Sequence, residues 1–341
     1  MSWMTDGPEE AYEEYDESSI RIRPNPKANK PRTKQRPEHN NSVTGRVISV
    51  DRGRYGVIVA EGSPEEHRAI ATRARELGRK SIVTGDFVDL VGDTSGVDGS
   101  LSRVVRVQPR SSLLRRSADD TDAVERIIVA NADQMLIVVA AANPEPRPRL
   151  VDRYLVAAFD AGITPILVLT KTDLADPTEF LANFAGLQLR VIRSSTDEFP
   201  IAELEEMLAG HTTVAVGHSG VGKSTLVNAL VPDANRAIGR VNDVTGRGRH
   251  TSSSTISYRI GTGWIVDTPG VRSFGLGHVN PDNILKSFGD LAELAEKCPR
   301  GCTHLPDSPD CYLVDRAAKG KLGEIGALRL DSLQRLLSTL G

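Results

Sequence analysis

The sequence predicts a multidomain chain. An N-terminal OB-type β-barrel precedes a central α/β domain of the P-loop kind and a C-terminal helical module built on a metal cluster. Three observations carry this. Gly217-His218-Ser219-Gly220-Val221-Gly222-Lys223-Ser224 reads G-x-x-x-x-G-K-[ST] after the apolar stretch Val214-Ala215-Val216. About five short alternating segments fall between residues 43 and 112. All three cysteines lie within residues 298–311, beside His304.

Composition narrows the class. At 341 residues, a prior of roughly one domain per 150 residues suggests two or three. A net charge of −3 means that any nucleic-acid surface must be local. The longest apolar run, Met135 to Ala142, is far short of the ~18 residues of a membrane span. Asp6, Glu9 and Glu10 do not suit a signal peptide, so a cytoplasmic protein without membrane contact is expected. The expected division is 1–42, 43–112, 113–275 and 276–341.

Residues 1–42 read as a disordered tail. An acidic block, Asp6 to Glu17, is followed by a basic block, Arg21 to Arg36, broken by Pro24, Pro26 and Pro31. Too little apolar surface is present to offset the ordering entropy. It is either a solvated leader or a basic arm that follows RNA under an acidic mask.

The barrel is read from alternation. Val43, Gly45 and Val47 alternate with polar neighbours, Asp51-Arg52-Gly53-Arg54 turns, and Tyr55, Val57 and Val59 alternate again. Further strands are expected at 68–73, 82–91 and 102–107. Between Val43 and Arg116 there are thirteen Arg/Lys against nine Asp/Glu, compatible with phosphate contact. Only Tyr55 and Phe87 offer stacking rings, so base-specific single-strand binding is not indicated.

From about 113 to 275, apolar runs at 134–141, 164–170, 189–192, 212–216 and 264–267 have the length of buried parallel strands. Leu150, Tyr154, Leu155 and Ala158 have helical spacing. A doubly wound sheet follows. In the phosphate loop, glycines let backbone N–H groups surround phosphates, Lys223 neutralises them, and Ser224 ligates magnesium with Thr225 behind it. Asp267-Thr268-Pro269-Gly270 closes the last apolar run, placing Asp267 toward magnesium and the Gly270 amide toward the terminal phosphate.

The base-reading element sets the order apart. Thr170-Lys171-Thr172-Asp173 has the form N/T-K-x-D, yet it stands about fifty residues before the phosphate loop instead of after it. Asp173 can accept two hydrogen bonds from guanine, and leaving it unpaired against adenine costs about 1–3 kcal/mol. Lys171 would pack along the base, and Ser194-Ser195 forms a second base-side loop. The order is that of a circularly permuted GTPase, since permutation moves chain ends without moving the site.

Residues 246–255 form a polar, Gly-containing loop in which Thr251 is the expected third magnesium ligand. Val271 follows Gly270, where a Gln would orient the attacking water, so slow intrinsic hydrolysis is expected. His250 is the nearest residue able to position that water. Cys298-x3-Cys302-x-His304-x6-Cys311 offers three thiolates and one imidazole, a closed tetrahedral set for one structural zinc.

Together these features resemble the RsgA (YjeQ) family of small-ribosomal-subunit biogenesis GTPases. The resemblance runs from about Val43 to the C-terminus through Val151-Asp152-Arg153-Tyr154-Leu155, Gly217–Leu230, Gly248-Arg249-His250-Thr251 and Asp267–Arg272. It implies a slow GTPase stimulated by the small subunit and contacting ribosomal RNA through barrel and zinc module; GDP binding and a monomeric state are also expected. It also places His250 at the family's proposed catalytic position. Departures are the x3 and x6 zinc spacings and Thr170 where Asn is commoner. Two functional readings follow: a GTPase whose turnover times release from the subunit, or an RNA-binding checkpoint factor for which GTP is only a ligand.

Overall fold

The structure, a computed structural model, describes residues 39–78, 80–117, 125–232, 255–268 and 274–340. The tail expected at 1–42 lies almost entirely outside them.

The barrel is built from β1 (Val43–Asp51), β2 (Arg54–Val59), β3 (His67–Arg73), β4 (Phe87–Gly92) and β5 (Ser102–Val107). Pairing runs β1-β2-β3-β5-β4 and closes where β4 meets β1 again, an OB arrangement with β3 and β5 parallel. Val47, Tyr55, Val57, Val59, Ala69, Ala71, Val88, Leu90 and Val104 point inward and form one core. Tyr55 is therefore a core residue, and Phe87 lies under the Arg46 guanidinium, 4.6 Å away. Neither ring is free to stack on a base.

The strand expected at 82–91 begins later, at Phe87. Gly85 turns at φ +91, and Asp86 caps the turn by accepting from the Val83 N–H at 2.8 Å. The buried Asp86 carboxylate is held in turn by Arg110 Nε at 2.6 Å. A hairpin of β6 (Leu113–Ser117) and β7 (Glu125–Ala130), not foreseen, then leads into the central domain.

The central sheet contains β8 (Gln134–Ala140), β9 (Thr164–Thr170), β10 (Arg190–Arg193), β11 (Thr212–Gly217), β12 (Ile256–Ile260) and β13 (Gly263–Asp267). Its order is β10-β9-β8-β11-β13-β12, parallel except for β12. Along β8 the side chains divide by parity: Met135, Ile137 and Val139 enter one core, Leu136, Val138 and Ala140 the other. Burial on both faces is why the run reads as continuous apolar sequence instead of alternation.

Helices α1 (Pro148–Asp160) and α2 (Thr178–Ala182) lie on the first face, α3 (Ile201–Leu208) and α4 (Lys223–Leu230) on the second. The C-terminal module comprises α5 (Pro281–Lys286), α6 (Gly289–Ala295), α7 (Tyr312–Ala318) and α8 (Gly323–Ser338). Its Ile284, Phe288, Leu291, Leu313, Leu330 and Leu333 share the first core with α1. Among the described residues no helix is long and apolar enough to cross a membrane.

Candidate active site and metal centre

In a doubly wound sheet, ligands sit at the carboxyl ends of the strands. Here β11 runs into the phosphate loop at Gly217, β9 ends at Thr170, β10 leads to Ser194, and β13 ends at Asp267. All four ends lie on one edge, so the permuted order leaves a single site.

The phosphate loop is fixed by its glycines. Gly222 takes φ +90 as it caps α4, and Gly220 takes φ +83, both strained for side-chain-bearing residues. A Cβ on Gly217 would stand 2.7 Å from the Val138 carbonyl oxygen. His218 Nδ1 lies 3.0 Å from the Ser219 carbonyl oxygen, Val221 is buried beneath the loop, and Ser224 and Thr225 occupy the first turn of α4. Lys223 Nζ forms an ion pair with the Asp267 carboxylate, with both side chains mostly shielded from water.

The base side closes over this loop. Thr170, 2 % exposed, donates from Oγ1 to the Val221 carbonyl oxygen at 2.6 Å. Lys171, held at φ +58, donates from Nζ to the Gly220 carbonyl oxygen at 2.9 Å and also to that of Asn143. Both residues therefore tie the base loop to the phosphate loop. The Thr170 hydroxyl thus holds the phosphate-loop backbone directly.

Asp173 is oriented by a residue that sequence reasoning missed. Thr196 donates its N–H to Oδ1 at 2.7 Å and its hydroxyl to Oδ2 at 2.9 Å. Desolvation acts to raise the carboxyl, but the Thr196 bonds outweigh it and hold Asp173 below the usual range. The buried Ser194 hydroxyl donates to the Glu198 carbonyl oxygen at 3.1 Å, and the Ser195 hydroxyl receives the Glu198 N–H at 2.9 Å. These serines shape the turn that delivers Thr196. The pattern Ser-Ser-Thr was its only sequence signal. His250, Thr251, Gly270 and Val271 lie outside the described residues.

Cys298, Cys302, His304 and Cys311 come together in the C-terminal module, their ligand atoms all within 4.8 Å of one another. Cys298 and Cys311 Sγ are 4.0 Å apart, and Cys311 Sγ lies 3.8 Å from His304 Nδ1. Tetrahedral bonds of ~2.3 Å to sulfur and ~2.0 Å to nitrogen would separate such ligands by about 3.5–3.8 Å, so the set fits one ion. Burial lowers His304, keeping its imidazole neutral and able to ligate, and pushes the Cys311 thiol up to about 11. Gln334 of α8 donates to the His304 carbonyl oxygen at 2.9 Å, fastening the ligand loop to the last helix.

Base loops that precede the phosphate loop in sequence, yet close over it in space, mark a circularly permuted GTPase. A comparison with family models matches residues 107–277 to the RsgA GTPase. The chain belongs to the RsgA GTPase family. A small ribosomal subunit biogenesis GTPase RsgA of Chromohalobacter salexigens is 38% identical over 271 residues, covering 76% of this chain and 76% of that protein. An RsgA 1 of Vibrio vulnificus is 35% identical over 272 residues, 77% of this chain and 75% of the relative. YjeQ from Thermotoga maritima superposes with a TM-score of 0.63 at 25% identity, over 88% of this chain and 98% of its own. YloQ, described as a circularly permuted GTPase, shares the fold at TM-score 0.63 and 21% identity, over 89% of this chain and 96% of its own.

Proposed function

We propose that this chain is a GTP-hydrolysing assembly factor that binds the small ribosomal subunit and its RNA, with hydrolysis timing its release. The single observation that supports it most is the closure of the base loop onto the phosphate loop through Thr170 and Lys171. On this reading Asp173 would be the guanine acceptor and Lys223 the phosphate cation of a single nucleotide site. The relatives' common description as small ribosomal subunit biogenesis GTPases supports the partner.

Residues 217–225 would cradle the phosphates with backbone N–H groups. Lys223 would exchange its Asp267 partner for the β- and γ-phosphates, and the Gly270 amide would meet the terminal one. Asp267, freed by that exchange, joins Ser224 and Thr251 as the set that would hold magnesium. When bound, that ion neutralises phosphate charge. Val271 cannot orient water, so His250 takes that role and intrinsic turnover is slow. Cys298, Cys302, His304 and Cys311 would hold one zinc, whose closed set supplies stability and no reactive position. We infer a cytoplasmic monomer that binds GTP and GDP, whose domains divide near 42, 112 and 275.

The test is multiple-turnover phosphate release with and without small subunits. Stimulation in the wild type and none in Lys223→Ala, which should also lose tight GTP binding, is the expected result. Equal turnover with and without subunits would leave GTP as a ligand and favour the checkpoint reading.

A further inference from the structure

The barrel and the central sheet are one hydrogen-bonded sheet, joined where Ser49 of β1 pairs with Ile256 of β12. That junction falls on a specific element. The β12–β13 hairpin begins just after the sequence segment holding His250 and Thr251, and it ends at Asp267. The barrel grips this hairpin at both ends.

Near its start, the Thr84 hydroxyl donates to the Thr255 carbonyl oxygen at 3.0 Å. At its turn the grip is denser. Trp264, 4 % exposed, donates its indole N–H to Glu61 Oε1 at 2.5 Å. Glu61 Oε2 accepts from Arg46 Nε at 2.9 Å. The Arg46 guanidinium lies between the Phe87 and Trp264 rings, 4.6 and 5.7 Å from their centroids, and reaches the Thr212 hydroxyl at 3.2 Å. Arg259 covers Trp264 at 4.8 Å and pairs with Glu66. Glu66 is itself fixed by the Gly62 N–H at 2.6 Å, the main cause of its lowered pKa, with Arg259 second.

We propose that Glu61 and Arg46 of the barrel, by clasping Trp264, are positioning residues for Asp267, so that the barrel sets the geometry of the nucleotide site. This rests on Asp267 acting in hydrolysis, as proposed above. Trp264 and Asp267 stand on one five-residue strand, about 10 Å apart at ~3.3 Å per residue. On its other side β13 is paired with β11, Thr212 opposite Trp264 and Ala215 opposite Asp267, and β11 carries the phosphate loop. A strand held on both sides cannot bend to absorb a displacement, so moving the clasp moves Asp267 against Lys223. Misplacement by ~1 Å can cost about a hundredfold in rate. Magnesium affinity is a binding quantity, so its coupling to the clasp is reciprocal, and filling the site with magnesium and a GTP analogue should alter the barrel.

The test compares full-length Trp264→Phe, Glu61→Ala and the conservative Glu61→Gln, which keeps an acceptor for the indole. Trp264→Phe and Glu61→Ala should lower kcat about tenfold and raise the magnesium concentration needed for half-maximal rate. The KM for GTP should stay within about twofold, and Glu61→Gln should recover most of the rate. Independently, hydrogen exchange of barrel residues 45–51 in the wild type should slow about fivefold or more with a non-hydrolysable GTP analogue relative to GDP. That difference should vanish in Glu61→Ala. Folded Trp264→Phe and Glu61→Ala proteins with wild-type kcat and magnesium requirement would overturn the proposal, as would barrel exchange indifferent to nucleotide. Asp267→Asn separates the two layers: if it hydrolyses GTP normally, the role of Asp267 is wrong, and the exchange experiment alone decides the coupling.

Discussion

Thr196 illustrates how a site residue can be invisible to motif reading. Its N–H and hydroxyl take both oxygens of Asp173, although 23 residues separate them in sequence. A carboxylate so held is already aimed before a base arrives, which lowers the ordering cost of binding. Thr196→Val, which keeps the shape and removes the hydroxyl, should weaken GTP binding about five- to tenfold through the loss of one hydrogen bond to the carboxylate. Fluorescence titration with a labelled guanine nucleotide measures this. Unchanged affinity would mean that the Thr196 N–H alone suffices. Gly217, in contrast, was legible, because the G-x-x-x-x-G-K-[ST] spacing names it directly. Only the structure adds the Val138 carbonyl that its missing side chain makes room for.

At the scale of single elements, the connection between β4 and β5 is pinned by His67 of β3. Its Nδ1 faces the Glu65 carbonyl oxygen and its Nε2 the Thr94 carbonyl oxygen, each at 2.7 Å. A neutral imidazole has one N–H, so satisfying both acceptors requires the imidazolium. The bonds to Glu65 and then Thr94 raise its pKa above the ordinary histidine value, with the Glu65 charge adding slightly. A raised folded-state pKa contributes stability that is whole below about pH 6.5 and is lost as pH climbs through the raised value. Hydrogen exchange at 93–99 should therefore accelerate beyond its intrinsic pH trend across that window. His67→Ala should show fast exchange throughout, and equal pH trends in both proteins would exclude the latch. The cysteine loop between α6 and α7 gives a second test. Cys302→Ser should lose about one bound metal per chain by elemental analysis and loosen α7 and α8, while GTP binding persists. Zinc retained at wild-type stoichiometry would remove Cys302 from the ligand set.

Across the whole molecule, the C-terminal module is locked to the central domain through α1. Asp152 of α1 is 3 % exposed, and Arg335 of α8 approaches it at 3.2 Å. Burial raises Asp152 more than Arg335 lowers it, so the carboxylate depends on that guanidinium. Arg329 of α8 holds Asp290 of α6 within the module, with Nε 2.9 Å from Oδ2 and Nη2 2.8 Å from Oδ1, while its Nη1 donates across to the Gly186 carbonyl oxygen at 3.4 Å. Arg335→Ala should destabilise the protein by about 2 kcal/mol, less than the ~3–5 of a fully buried pair because Arg335 keeps some solvent contact. Asp152→Asn in the same chain should restore most of the loss in chemical denaturation. If it does not, the lost packing of Arg335 on Phe184, 5.2 Å from the ring, is the main cause.

Much of this was legible in the linear sequence because it is carried by local rules. The phosphate loop, Asp267, the base motif and the Cys/His set are short patterns with fixed spacing. The buried strands of the central sheet declare themselves by length and apolarity, since both of their faces are covered. Strands β6, β7 and β12 were not legible, for their short mixed sequences become strands only through a partner. The delayed start of β4 depended on an Asp86–Arg110 pair that spans 24 residues. The bonds from Thr170 and Lys171 to the phosphate loop, the Thr196 grip on Asp173 and the Glu61–Trp264 clasp join residues 23 to 203 positions apart. Spacing along a chain constrains what its near neighbours can do. Which distant side chains meet is decided by how the sheet and barrel pack, and only that packing brought Glu61 to Trp264.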